Sequence, residues 1–187
     1  MDKEHINEYL KDGSIVRNSM DVNKIYEFGI ALSKAFHSGN KLIVMGNGGS
    51  AADAQHIVAE FVGRFERERN PLPAMALHTN TSSITAIGND YGFDQIYSRQ
   101  INAFAKKGDF ILGLSTSGNS INVIKALEVS KKIGCENYGI TGISGGKILE
   151  ILSEDHIIKI GSSRTSFIQE CTTAIIHIIS KIVEDLM

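Results

Sequence analysis

"VMGNGGSAADAQHIVAE", residues 44–60, closes an apolar run and opens a helical pattern. Within it Gly46, Gly48 and Ala51 fit the G-x-G-x-x-A turn that joins a strand to a helix in dinucleotide-binding folds. The pattern alone is weak evidence for a nucleotide, because any tight strand-to-helix turn needs glycines. A dinucleotide fold places a carboxylate about twenty residues further on, at the end of the second strand, to hold the ribose hydroxyls. Here that strand ends in Leu77-His78-Thr79-Asn80, with no acid. The stretch therefore indicates a strand–turn–helix unit of an α/β fold and no nucleotide cofactor.

Working outward, short apolar runs recur at residues 42–45, 74–77, 110–114, 138–141 and 156–160, and read as strands buried on both faces. Helical patterns separate them at 50–63, 82–87, 94–105, 120–133 and 147–152. Before the first strand, residues 20–38 set Ile25, Phe28, Leu32, Ala35 and Phe36 on one helical stripe that Ser38-Gly39-Asn40 ends. Alternating strands and helices imply right-handed crossovers and a parallel sheet. The expected fold is an α/β three-layer αβα sandwich around a five-stranded parallel sheet, with long N- and C-terminal helices. The last helix, about 165–186, is apolar around much of its circumference through Ala174, Ile175, Ile176, Ile178, Ile179, Ile182, Val183 and Leu186. So wide an apolar surface predicts burial of a second face against another subunit.

The 187 residues suit one hydrophobic core and a single domain over 1–187. Hydrophobic residues at 42% and charged residues at 21% are those of a soluble globular chain. Nineteen basic against twenty-one acidic side chains give a net charge of −2, so no global positive field attracts nucleic acid. The mixed-sign cluster Arg64-Phe-Glu-Arg-Glu-Arg69 reads as a solvated helix end. Cys135 and Cys171 form no CxxC pair and read as small buried hydrophobes in a reducing compartment. The opening MDKEHINEYLKDG lacks the apolar core of a signal peptide, and nowhere do eighteen apolar residues run together. The expected setting is the cytoplasm, without a membrane partner.

In such folds ligands lie beyond the carboxyl ends of the strands. The segment "STSGNS", residues 115–120, follows one strand and precedes a helix. Its four hydroxyls, with the positive end of the helix dipole, fit a phosphate monoester. Capping and turn formation account for one hydroxyl and leave the others unexplained. No nucleoside triphosphate P-loop sequence occurs. His56 and Glu60, four apart, share a helix face; a surface hydrogen bond and a functional pair both satisfy that spacing. Gln169 and His177, eight apart, lie about 80° apart around the last helix. His177 interrupts the run AIIHIIS, where its imidazole is either a functional group or a core histidine with a partner. His5, His37 and His156 stand alone and read as surface or structural; His78 ends a strand without an assigned role. Asn89 and Asp90, in "AIGNDYGF", form a polar turn signal that equally presents polar groups to a sugar.

Taken in order, GNGGSAADAQHIVAE, AIGNDYGF, STSGNS and IQE…IIH make the chain resemble the phosphoheptose isomerase branch of the sugar isomerase (SIS) family over almost its whole length. The resemblance implies a flavodoxin-like SIS fold and a cytoplasmic homotetramer. It also implies an aldose–ketose isomerase that takes a phosphorylated seven-carbon sugar, sedoheptulose 7-phosphate, to D-glycero-D-manno-heptose 7-phosphate for lipopolysaccharide, capsule or related glycans. By the same resemblance Asn47, Gly48 and Gly49 line the substrate, Asn89 and Asp90 hold its hydroxyls, and Ser115, Thr116, Ser117 and Ser120 bind its phosphate. Glu60 and His177 correspond to the acid/base pair, with Glu60 and Gln169 also facing substrate. His56, Glu60, Gln169 and His177 correspond to a zinc site, one ion per subunit. Phe167 and Cys171-Thr172 depart from the residues usual in relatives. A non-catalytic SIS regulator, or an isomerase of another phosphosugar, is the alternative.

Overall fold

Five apolar runs become the strands of one parallel sheet in the computed structural model, which describes residues 2–187. They are β1 (Leu42–Gly46), β2 (Ala74–Ala76), β3 (Phe110–Ser115), β4 (Glu136–Gly142) and β5 (Ile157–Ile160), in the order β2-β1-β3-β4-β5. Register pairs Leu42 with Phe110 and Phe110 with Glu136, so the strand starts align along one edge. The helices are α1 (Lys3–Asn18), α2 (Val22–His37), α3 (Gly49–Val62), α4 (Thr81–Tyr91), α5 (Ser98–Phe104), α6 (Ile121–Ile133) and α7 (Thr165–Leu186).

The two-residue pleat sorts the strand side chains into two cores. Leu42, Val44, Phe110, Leu112, Leu114, Ile140, Ile158 and Ile160 pack with Phe28 and Leu32 of α2, Ile57 and Phe61 of α3, and Ile175, Ile176 and Ile179 of α7. Ile43, Met45, Ile111 and Ile157 face the other way, onto Ile101 of α5 and Val123 and Leu127 of α6. Each such side chain, buried, contributes about 1.5–3 kcal/mol of transfer free energy. Three layers result. The crossover from β1 to β2 runs outward through α3, and the return to β3 places α4 and α5 on the opposite face. The direction of winding therefore reverses between β1 and β3, which opens a crevice at their carboxyl ends.

Several elements differ from the expectation. Strand β2 stops at Ala76, and Ala74 and Met75 are only half-buried, because β2 is an edge strand with one neighbour. Residues 147–152 form a short 3₁₀ helix, Gly146–Glu150, and 94–105 divides into a 3₁₀ turn, Phe93–Gln95, followed by α5. The charged N-terminal segment forms α1, which buries no side chain fully; Tyr9 packs on Phe167 of α7 and Val16 against the core. Residues 64–69 are not a helix end: α3 stops at Val62 and the chain turns back over α7. Cys171 is buried and Cys135 half-buried, both as free thiols. No described helix is long and apolar enough to cross a membrane.

Candidate active site

Helix α3 carries Gly49, Asp53, His56 and Glu60 at steps of four, three and four residues, which keeps them on one face. Helix α7 lies against that face and offers Gln169, Thr173 and His177 at four-residue steps. The result is a polar seam of three rungs between two otherwise apolar helices. At the first rung, the Gln169 amide fills the space beside Gly49, where a Cβ would lie 2.2 Å from Gln169 Nε2. At the second, the Thr173 hydroxyl donates to Asp53 Oδ1 at 3.1 Å. At the third, His177 Nε2 lies 3.2 Å from His56 Nε2, with the rings edge to face. Glu60 completes the group, its Oε1 3.0 Å from His56 Nε2.

The donors of His56, Glu60 and His177 all lie within 4.8 Å of one another, and all three side chains are half-buried. A tetrahedral zinc ion with bonds of roughly 2.0–2.1 Å separates its ligands by roughly 3.3 Å. The 3.0 and 3.2 Å spacings therefore suit two imidazoles and a carboxylate closing on one cation. Among the described residues this is the one such cluster of His, Cys, Asp or Glu.

Asp53 was not singled out by spacing or composition. It is buried, its second oxygen has no hydrogen-bond partner, and burial raises its pKa against the opposing pull of Thr173 and His56. Phe65 is likewise absent from the sequence expectation, yet its ring stacks on His177 with centroids 5.8 Å apart. The segment that carries it is anchored at both ends. Glu184 Oε1 accepts the backbone N–H groups of Glu66 and Arg67 at 3.0 and 2.8 Å. The Arg69 guanidinium donates to the carbonyls of Glu60 and Phe61. The segment thus straps Phe65 over the imidazole, while Arg64, Glu66, Arg67 and Glu68 remain exposed as the mixed charges led one to expect.

Across the crevice, β3 ends at Ser115 and residues 116–120 lead into α6. Ser120 stands at the N-cap but makes no side-chain capping bond; its hydroxyl pairs with Ser115 Oγ at 2.9 Å. Ser117 Oγ accepts the Asn119 N–H at 3.1 Å. Capping therefore does not consume these hydroxyls. The first-turn N–H groups of Ile121 and Asn122 have no acceptor within the helix, as at every helix start. Positive dipole, free N–H groups and hydroxyls together make an anion cradle. Asn47, in the turn after β1, pairs its amide with that of buried Asn122.

Asn89 and Asp90 are placed differently from the expected turn. Both lie in the last turn of α4, exposed, with Asn89 donating to Asp90 at 2.8 Å, and the chain reverses only at Gly92, φ 94°. They share no hydrogen bond with the other named residues. His78 lies with its Nε2 2.9 Å from Gln55 Nε2, and burial lowers its pKa. His5, His37 and His156 have local roles: an exposed pair with Asp2, a bond to the Ser33 carbonyl, and a stack on Tyr138. A cavity of about 650 Å³ lies at the opposite edge of the sheet, lined by Tyr26, Lys34, Phe110 and Tyr138. The His56–Glu60–His177 group lies elsewhere, on the α3–α7 seam.

The SIS domain family matches residues 13–142 of the chain. The probable phosphoheptose isomerase of Thermoplasma volcanium is 51% identical over 179 residues, 96% of this chain and 90% of that protein. The phosphoheptose isomerase of Geobacter sp. (strain M21) is 57% identical over 150 residues, 80% of this chain and 77% of that one. Among solved structures, the phosphoheptose isomerase of Neisseria gonorrhoeae superposes with a TM-score of 0.91 at 34% identity, covering 98% of each chain.

Proposed function

This chain belongs to the SIS domain family, among the phosphoheptose isomerases, and on that premise we propose that it interconverts sedoheptulose 7-phosphate and D-glycero-D-manno-heptose 7-phosphate. The observation that carries the reading is the convergence of Glu60, His56 and His177 across the α3–α7 seam, in a chain that also carries a hydroxyl-lined helix N-terminus.

Isomerisation moves a proton between C1 and C2 through an enediol, and needs a base over carbon and a proton donor at oxygen. Glu60 takes the proton from C1 of the ketose and returns it to C2. His177 exchanges the protons of the two sugar oxygens, with Phe65 fixing the plane of its ring. Ser115, Thr116, Ser117 and Ser120 hold the phosphate with the N-terminus of α6. Asn47, Gly48, Gly49 and Gln169 line the reacting end, where the glycines let the sugar approach the backbone, and Asn89 and Asp90 take distal hydroxyls. His56, Glu60, Gln169 and His177 are the residues that would hold one zinc ion per subunit, which when bound supplies positive charge beside the sugar oxygens. No step calls for a nucleotide cofactor, nucleic acid or membrane.

The whole chain acts as one SIS unit in a cytoplasmic homotetramer, and its product feeds heptose synthesis for lipopolysaccharide, capsule or a related glycan. Purified protein incubated with sedoheptulose 7-phosphate, with and without chelator, tests the reading by aldose formation. Glu60→Gln and His177→Ala are each expected to lose about 100-fold or more in kcat while remaining folded. Wild-type rates in both variants would overturn the mechanism.

A further inference from the structure

The side chains of Asn47 and Asn122 face one another as a reciprocal amide pair. Asn47 Nδ2 donates to Asn122 Oδ1 at 2.9 Å, and Asn122 Nδ2 donates to Asn47 Oδ1 at 2.9 Å. Asn122 Oδ1 also accepts the backbone N–H of Val123 at 2.9 Å, which locks the amide to its own helix. Asn122 is 3% exposed, so water does not compete for these bonds. The pair bridges the crevice where the winding of the sheet reverses. Asn47 belongs to the turn that starts α3, the helix of His56 and Glu60; Asn122 belongs to the first turn of α6, behind the anion cradle.

We propose that Asn122 is a positioning residue that holds the β1–α3 turn at a fixed distance from the phosphate cradle. A sugar anchored by its phosphate then presents its C1–C2 end to Glu60 and His177. The inference rests on the isomerase reading above. Its physical basis is that an anchored substrate gains from proximity only while anchor and reacting groups keep their spacing, and a misplacement of about 1 Å can cost about 100-fold in rate.

The test compares wild type, Asn122→Ala, Asn47→Ala and the double variant in three measurements: steady-state kinetics, inhibition by inorganic phosphate, and hydrogen exchange in residues 46–50. Asn122→Ala is expected to lose about 10- to 100-fold in kcat. KM and the phosphate inhibition constant should stay within about threefold, because the cradle hydroxyls are untouched. The double variant should be no slower than the worse single, since both remove one interaction. Exchange in the turn should quicken in both single variants. Asn47→Ala breaks the pair from the loop side and leaves the bond to Val123 intact; because Asn47 also faces the sugar, its exchange in residues 46–50, and not its kcat, reads the brace if Asn122→Ala does not fold. Phosphate inhibition that weakens with KM while kcat holds would assign Asn122 to the cradle and overturn the proposal, as would effects that multiply or a turn whose exchange is unchanged. A wild type inactive on the sugar phosphate would sink the isomerase reading alone; turn exchange and phosphate binding by calorimetry would still judge the brace.

Discussion

Asp53 places one carboxylate oxygen on the Thr173 hydroxyl and buries the other without a partner, in the seam that also holds the acid/base groups. Burial is the largest influence on it and raises its pKa above the ordinary 3.8; the Thr173 bond and the nearby His56 oppose this more weakly. A carboxyl whose folded pKa is raised favours the neutral folded form, so its contribution to stability is full below the unfolded value and is lost as pH rises through the folded one. Asp53→Asn, neutral throughout, should therefore melt above wild type at pH 7, with the difference closing as pH falls toward 3.8. Thermal unfolding across that range checks the sign, and a lower Tm for the variant at pH 7 would contradict it. The same scale shows why Asp53 escaped sequence reading while His177 did not. A histidine amid isoleucines breaks an apolar run, whereas an aspartate between alanines on a half-exposed helix is ordinary until a second helix covers it.

At the scale of elements, two glycines that look alike in sequence do different things. A Cβ on Gly49 would first meet the flexible end of Gln169, at 2.2 Å, so Gly49→Ala should fold with a Tm within a few degrees of wild type yet displace Gln169 and lower activity. Gly118 has φ 66°, and a Cβ there would lie 1.8 Å from the carbonyl oxygen of Gly145. Alanine at 118 must accept a left-handed backbone, at about 1–2 kcal/mol, and also push the next loop away. Gly118→Ala should lower Tm by roughly 4 °C or more and weaken inhibition by inorganic phosphate, measured by calorimetry and kinetics. An unchanged Tm would show that the loops separate freely. Helix identity was legible here: the expected limits of α3 and α7 lie within a residue of those observed. The 64–69 strap was not, because its charges are exposed as they look and the anchor is the backbone, whose N–H groups donate to Glu184 more than a hundred residues later.

For the whole molecule, one chain leaves Val22 and Tyr26 of α2, and Ile178 and Leu186 of α7, exposed on its surface. Val22, Tyr26 and Ile178 line one apolar surface hollow between α2 and α7, which supports the proposed assembly. Ile178→Asp should reduce the assembled mass seen by light scattering while leaving the far-ultraviolet circular dichroism unchanged; a wild type that runs as a monomer would refute the assembly. Sequence alone determined the strand and helix alternation, the parallel sheet and the glycine turn, because hydrophobic periodicity is a local property that burial on both faces imposes on each run. It also drew attention to His56, Glu60, Gln169, His177 and the hydroxyls of residues 115–120, whose roles the family resemblance then supplied, since spacing alone left a surface or core role open to the histidines. Only the tertiary structure decided which of them meet. The 3.2 Å approach of His56 to His177, the Gln169 amide beside Gly49, Phe65 on the imidazole and the Asn47–Asn122 brace join residues 75 to 121 positions apart in the chain. No local pattern encodes such pairings, because their partners are fixed by how α3, α6 and α7 pack across one sheet.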